Sequence, residues 1–325
     1  MKKAYVLDKD GTLVNLDRPI DGAADFLTQV DHYVVLTNTG EKSASQVAEE
    51  LTRVMGVRVP PERVLTARDH MATLLLREGR FRAVKTVGVH HEAFAPLRWE
   101  DPVPEDCSGT CVALFSDGRI DDYAETIAAT ATHMRRGAVL YATSVDRSVA
   151  QEDGSMRIGP GVFVRSVLAF LGLPLGAVRV FGKGGTDTSI GELAVATLRK
   201  QGFTGTSREV HSVGDRFDTD VRLGNSLRWN TCLVESGCHT EGDASLYPAD
   251  LADSVACSLR DLAGGEEATL KDTLRNFMRV LVRNAGPAVL DAFSKVERML
   301  KERATRLTPA PRRIRSLPSN LDSLG

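Results

Sequence analysis

Short apolar runs alternate with stretches of helical apolar spacing through most of this chain, up to a pair of glycines at 264 and 265. The first run, Tyr5-Val6-Leu7, reads as a buried strand that stops at Asp8 and a turn through Gly11. Ala23 to Val30 has helical spacing, and Tyr33-Val34-Val35-Leu36 is a second strand that ends at Thr37-Asn38-Thr39-Gly40. Ser43 opens a helix with Val47, Leu51 and Met55 on one face. Val64-Leu65 and then Met71 to Leu76 extend the series. Strand and helix alternating with short links predict an α/β fold, a doubly wound parallel sheet of Rossmann-like form.

A second series follows. Val84 to Val89 and Cys111 to Leu114 read as strands, Asp121 to His133 as a helix, Val139 to Ala142 as a strand and Gly161 to Leu171 as a helix. The first pattern returns at Val178 to Phe181, Val210 to Val213 and Thr231 to Val234. The expected organisation is a core of residues 1–81 and 179–263 with an α/β domain, 82–178, inserted into it. Beyond the glycine pair, Leu270, Leu274, Phe277, Met278 and Leu281 form one helical stripe, and Val289, Leu290, Phe293, Val296 and Leu300 form another. Gly286-Pro287 separates them, which predicts a helical hairpin over 264–307. Residues 308–325, rich in Pro, Arg and Ser, are expected to be a disordered tail.

Composition narrows the classes. The 325 residues are 42% hydrophobic with a formal net charge of −2, which gives no case for a nucleic-acid or membrane-surface protein. Five cysteines without a Cys-x-x-Cys pair fit a reduced protein without zinc. An acid already at position 8 leaves no room for a signal-peptide apolar stretch, and no apolar run is long enough to span a bilayer. The expectation is a soluble, cytoplasmic protein. His90, His91 and His133 lack companions at ligand spacing, Trp99 and Trp229 read as packing residues, and the arginines of the tail read as a solvated segment.

Candidate chemistry sits at the strand ends. Asp8 and Asp10 are two apart, so they face one small volume, and two crowded carboxylates call for a hard divalent cation, Mg²⁺ above all. Thr37-Asn38, Lys183 and Asp215 each follow a β-rich run, and in a parallel sheet such ends converge on one edge. Carboxylates as oxygen ligands, a lysine and a hydroxyl as donors, and flanking glycines suit a phosphoryl group.

Asp8-Lys9-Asp10-Gly11-Thr12, Leu36-Thr37-Asn38, Gly182-Lys183 and Val213-Gly214-Asp215-Arg216-Phe217-Asp218-Thr219-Asp220 resemble, in order and strand context, the motifs of the haloacid dehalogenase-like (HAD) superfamily. The long span between Asn38 and Lys183 resembles the cap of subclass IIA, the NagD and 4-nitrophenylphosphatase-like group. Its members include nucleotide, phosphoglycolate, glycerol-phosphate and pyridoxal-phosphate phosphatases. Gly137 to Asp146 resembles the group's cap segment ending in Thr-Asn-x-Asp, and Gly159-Pro160-Gly161 the start of its last cap helix. The resemblance implies Asp8 as nucleophile and metal ligand, and Asp10 as acid and base with its backbone carbonyl on the metal. It implies Thr37 and the Asn38 backbone on the phosphoryl oxygens, Lys183 as the neutralising cation, Asp215 as metal ligand and Asp220 as outer support. Asp146, in the cap segment from Ser144, would face the substrate's leaving group; Arg216 and Asp218 read as salt-bridging loop residues.

An acid at position 10 is the mark of phosphate-ester chemistry in this family; dehalogenase members lack it and ATPase members carry Thr. Three departures are visible: Thr39-Gly40 for the usual Asn-Ser, Gly184 where Pro is common, and Ser144 for Asn. The implied activity is a Mg²⁺-dependent phosphatase for small phosphate monoesters, acting through an aspartyl-phosphate. Phosphoryl transfer to a sugar or alcohol, or a catalytically silent scaffold, are the alternatives. The implied partners are a small phosphorylated metabolite and a second copy of the chain, joined through the cap.

Overall fold

In chain order, the structure, a computed structural model, begins with β1 (Ala4–Leu7), the short pair β2 (Val14–Asn15) and β3 (Arg18–Pro19), and α1 (Ala23–Gln29). Then come β4 (Tyr33–Thr37), α2 (Ala44–Met55), β5 (Val64–Thr66) and α3 (Ala67–Glu78). A second series holds β6 (Ala83–Val87), β7 (Thr110–Leu114), α4 (Tyr123–Arg135), β8 (Val139–Ala142), β9 (Ser148–Ala150), β10 (Met156–Ile158), α5 (Pro160–Leu171) and β11 (Arg179–Val180). The chain returns through α6 (Ser189–Lys200), β12 (Val210–Gly214), α7 (Arg222–Ser226), β13 (Asn230–Val234), β14 (Ser254–Ala256) and α8 (Leu259–Ala263). The described residues are 3–263 apart from 80, 89–93, 95–104, 116–119, 121, 151–155 and 186. The expected hairpin 264–307, the tail 308–325, His90, His91 and Trp99 lie outside them.

Six strands make one parallel sheet in the order β14-β13-β12-β1-β4-β5. Period-two alternation explains its two buried faces. Tyr5 and Leu7 face Phe26, Val35, Val47 and Leu51, while Ala4 and Val6 face Ile190, Ala194, Leu198 and Trp229. Local signals set the helix ends: Ser43 and Gln46 form a capping box on α2, and Gly56 closes that helix in the left-handed region. The predicted start of α4 moves two residues on, because the Asp122 carboxylate accepts from the Glu125 N–H at 2.8 Å and so caps the helix from outside.

β6, β7, β8 and β11 form a second parallel sheet in the order β11-β8-β7-β6. This corrects one expectation. Val178 to Phe181 was read as a return to the core sheet, with a boundary after 178, but Arg179 and Val180 pair with Tyr141 and Ala142. The run is apolar either way, and a local pattern does not encode which sheet edge a strand joins. Lys183 therefore enters the site on the segment leaving the inserted sheet, not at the end of a core strand. Among the described residues no helix is long and apolar enough to cross a membrane.

Candidate active site

β1 lies between β12 and β4, where the winding of the sheet reverses, and the carboxyl ends of these strands bound a cleft of about 700 Å³. Register fixes what meets there. Leu7 sits beside Val213 and Val35, so Asp8, Asp215 and Thr37 leave adjacent strands at one level. One wide helical turn, Phe217–Val221, then carries Asp220 back beneath them.

One oxygen from each of Asp8, Asp215 and Asp220 falls within a 4.8 Å group, and all three residues are buried. The Lys183 ammonium, itself buried, donates to Asp8 Oδ1 and, at 2.6 Å, to Asp220 Oδ1. Burial opposes charge on this lysine, but the Asp220 and Asp8 carboxylates reverse the effect and hold it cationic well above its ordinary range. Burial pushes the Asp8 carboxyl well up; Lys183 pulls it down, and Asp220 and Asp215 push it up again. Burial and then the Asp220 charge raise Asp215 to about 6.

The donor pattern separates the three acids. Asp220 is satisfied on both oxygens, by Lys183 and by the Thr219 hydroxyl at 3.1 Å. Asp215 Oδ2 accepts the Cys238 N–H at 2.7 Å, while its buried Oδ1 has no hydrogen-bond partner among the described residues. An orphaned buried carboxylate oxygen beside a second carboxylate fits a cation ligand. Gly11 and Gly237 pack so tightly on Asp215 that a Cβ at either position would overlap its carboxylate; Gly11 also has φ +80°. The residues present therefore fit a divalent ion held by Asp8 and Asp215.

The other predicted residues fall around this cluster. The Thr37 hydroxyl accepts the Thr39 N–H at 3.3 Å, which leaves its proton for an oxygen in the cleft. Asp10 borders the cleft, but its carboxylate stands outside the acid group and pairs with Lys9 at 2.8 Å. Lys9 in turn reaches Glu50 of α2 at 3.2 Å. Asp146 faces the cleft from the inserted segment and accepts the Asn38 side-chain amide at 3.1 Å. Arg216 grips Asp218 with two nitrogens, at 3.1 and 3.3 Å.

Two features escaped the sequence reading. Asn38 was given a backbone role, yet its side chain is a bracket: it accepts the Lys183 N–H at 2.7 Å and donates to the Lys183 carbonyl as well as to Asp146. The second is a stack of Phe217, His239 and Tyr247, with Phe217 and His239 inclined by 20° and Tyr247 Oη 3.3 Å from His239 Nε2. Nothing in the local pattern marked either; the Lys9–Asp10 pair was at least visible as neighbours.

Comparisons with known proteins give the family. Residues 5–94 match the model of the haloacid dehalogenase-like hydrolase family, and residues 189–262 match a second HAD-hydrolase-like model. The chain is a haloacid dehalogenase-like hydrolase. It is an enzyme of the phosphatase type. The acid sugar phosphatase of Staphylococcus epidermidis is 27% identical over 245 residues, covering 74% of this chain and 89% of that protein. A glycerol phosphate phosphatase of Mycobacterium tuberculosis, solved with magnesium, superposes with a TM-score of 0.64 at 26% identity, covering 83% of this chain and 78% of that one. NagD from E. coli shares the fold, with a TM-score of 0.62 at 23% identity, covering 80% and 97%.

Proposed function

We propose that this HAD hydrolase is a Mg²⁺-dependent phosphatase for small phosphate monoesters, working through an aspartyl-phosphate on Asp8. One observation carries the reading: at the floor of the cleft, Asp215 Oδ1 is buried beside Asp8 without a hydrogen-bond partner among the described residues, and Lys183 contacts Asp8. Asp8 and Asp215, with the Asp10 backbone carbonyl, would hold the ion, and Asp220 would support it from behind. When bound, the ion supplies positive charge to neutralise the nucleophile and the phosphoryl oxygens.

The chain's own residues do the rest. Lys183 commits Asp8 Oδ1 and opposes the rise that burial imposes on this carboxyl, and the other oxygen of the ionised form would attack phosphorus. The bond from phosphorus to the leaving oxygen breaks as Asp10 delivers a proton to that oxygen. Water then attacks the aspartyl-phosphate, Asp10 takes a proton from it, and inorganic phosphate leaves with Asp8 restored. The Asp10 side chain is 62% exposed, so it can turn from Lys9 to this task. Thr37 and the Asn38 N–H would donate to the phosphoryl oxygens during both steps.

Asp8→Asn, assayed with 4-nitrophenyl phosphate and Mg²⁺, should lose at least about a thousandfold in kcat. Turnover near the wild-type rate would remove Asp8 from the mechanism. The same reading includes a homodimer formed through the inserted sheet; light scattering that gives the mass of one 35.2 kDa chain at assay concentration would refute that part.

A further inference from the structure

The acids at the floor of the cleft come from two turns, Asp8 to Gly11 after β1 and Asp215 to Asp220 after β12. One short segment after β13, Ser236 to His239, touches both. The Ser236 hydroxyl donates to the Gly11 carbonyl at 2.7 Å, next to Asp10. Gly237 lies against the Asp215 carboxylate, and the Cys238 N–H donates to Asp215 Oδ2 at 2.7 Å. The His239 N–H donates to the Asp215 carbonyl at 3.1 Å.

The His239 side chain adds a further tie. Phe217, itself buried, opens the wide turn that returns Asp220 to the cluster, and Arg216 before it supplies no side-chain cap. The acceptor comes instead from 22 residues away: the Phe217 N–H donates to His239 Nδ1 at 3.0 Å. That nitrogen therefore carries the lone pair and Nε2 the proton. Nε2 lies 3.3 Å from Tyr247 Oη, which accepts from it and so holds the tautomer. The rings of Phe217 and Tyr247 pack on the imidazole and fix its plane.

Phe217 stands two residues after Asp215 and three before Asp220. Without an acceptor its buried N–H would be orphaned, and the turn could relieve that only by shifting, which moves the acids on either side. Mg²⁺ demands near-ideal placement of its oxygen ligands, so such a shift costs affinity. We propose that the segment Ser236 to His239 sets the spacing of the two turns, and that His239, through its Nδ1 acceptor, is a positioning residue for divalent-ion binding. This rests on the Mg²⁺ reading above and adds to it what holds the ligands in place.

Thermal unfolding of the protein without ester, across a Mg²⁺ titration, reads the half-saturating concentration. Mg²⁺ activation of 4-nitrophenyl phosphate hydrolysis reads it a second way. His239→Phe keeps an aromatic ring in the stack but has no acceptor. His239→Asn gives up the ring and returns an oxygen close to the place of Nδ1. The phenylalanine variant should need about tenfold more Mg²⁺, whereas the asparagine variant should stay within about threefold of wild type. A role in packing alone predicts the opposite order. The KM for the ester at saturating Mg²⁺ should remain near its wild-type value in both. Ser236→Ala, which touches the Gly11 turn alone, should raise the Mg²⁺ requirement by a smaller factor, and it decides the matter should His239→Phe fail to fold. Wild-type Mg²⁺ binding in His239→Phe or in Ser236→Ala, or an asparagine variant as weak as the phenylalanine one, overturns this inference alone. A wild-type protein whose unfolding temperature ignores Mg²⁺ overturns the metal reading and this inference together.

Discussion

Asp215→Asn should make the metal-free protein more stable while removing its response to magnesium. Asp215 is 1% exposed, and burial with the Asp220 charge beside it raises its carboxyl to about 6. An unfolded chain titrates it near 3.9. Because the folded value is the higher one, the group favours folding fully below about pH 4, and this is lost as pH rises through about 6. At pH 8 the buried charge therefore costs on the order of 3 kcal/mol, two pH units at 1.36 kcal/mol each. Asparagine removes the charge and can still accept the Cys238 N–H through its oxygen. For a folded unit of this size, about 2–4 °C per kcal/mol converts the gain to roughly 6–12 °C in Tm. Thermal unfolding at pH 8 in a chelator should show that rise. Added Mg²⁺ should then lift the wild-type Tm by mass action and leave the variant where it was. A variant less stable than wild type in chelator would refute the charge argument, and one that still gains from Mg²⁺ would refute Asp215 as ligand.

Three further perturbations probe separate parts of the structure. Lys183→Met leaves the buried acids without their ammonium and should cost about 3–5 kcal/mol along with all turnover; a wild-type urea midpoint would contradict the pairing. Asn38→Ala removes the bracket on Lys183 and Asp146, so stability should fall by about 1–3 kcal/mol and kcat/KM with it; unchanged kinetics would show that the bracket is dispensable. His70 is held by burial at about 4, below its ordinary 6.5, and bonds Ser189 Oγ at 2.8 Å. Its folded pKa is the lower one, so its contribution is whole above about pH 6.5 and fades toward 4, up to on the order of 3 kcal/mol. His70→Gln should flatten the urea midpoint over that interval, and parallel curves for the two proteins would refute the assignment.

The central strands were legible because strands buried on both faces read as continuous apolar runs, and a polar residue straight after such a run marks the carboxyl edge. Asp8, Thr37 and Asp215 were found that way. Val178 to Phe181 gives the same local signal but joins β8, since pairing partners are chosen by tertiary packing that a run of four residues does not record. The Asn38 bracket was hidden for a related reason. Its partners Asp146 and Lys183 lie 108 and 145 residues away, and a side-chain hydrogen bond leaves no periodicity. The hydrogen bond of Tyr247 to His239 depends on the imidazole tautomer, which is set by a backbone N–H of Phe217 and so has no signature in residue type.

The charge inventory of the floor also accounts for the placement of Asp10. Among the described residues Asp8, Asp215 and Asp220 cluster about one hydrogen-bonded ammonium, Lys183, with Arg216 acting on Asp215 from farther out, and the excess of negative charge suits a divalent cation. A fourth carboxylate in the same volume would add to that excess, and mutual repulsion would raise its pKa and protonate it. Asp10 avoids this by standing outside the cluster, with its own cation Lys9 held from behind by Glu50. Two acids of one turn thus differ in their surroundings, although the Asp10 charge still adds to the rise of the Asp8 carboxyl. Burial pushes the Asp8 carboxyl well up and Lys183 opposes that rise, while Asp10 stays exposed, where it can exchange protons with solvent between turnovers. The glycine that follows, at φ +80° and packed on Asp215, is what lets the backbone bend sharply enough to separate them.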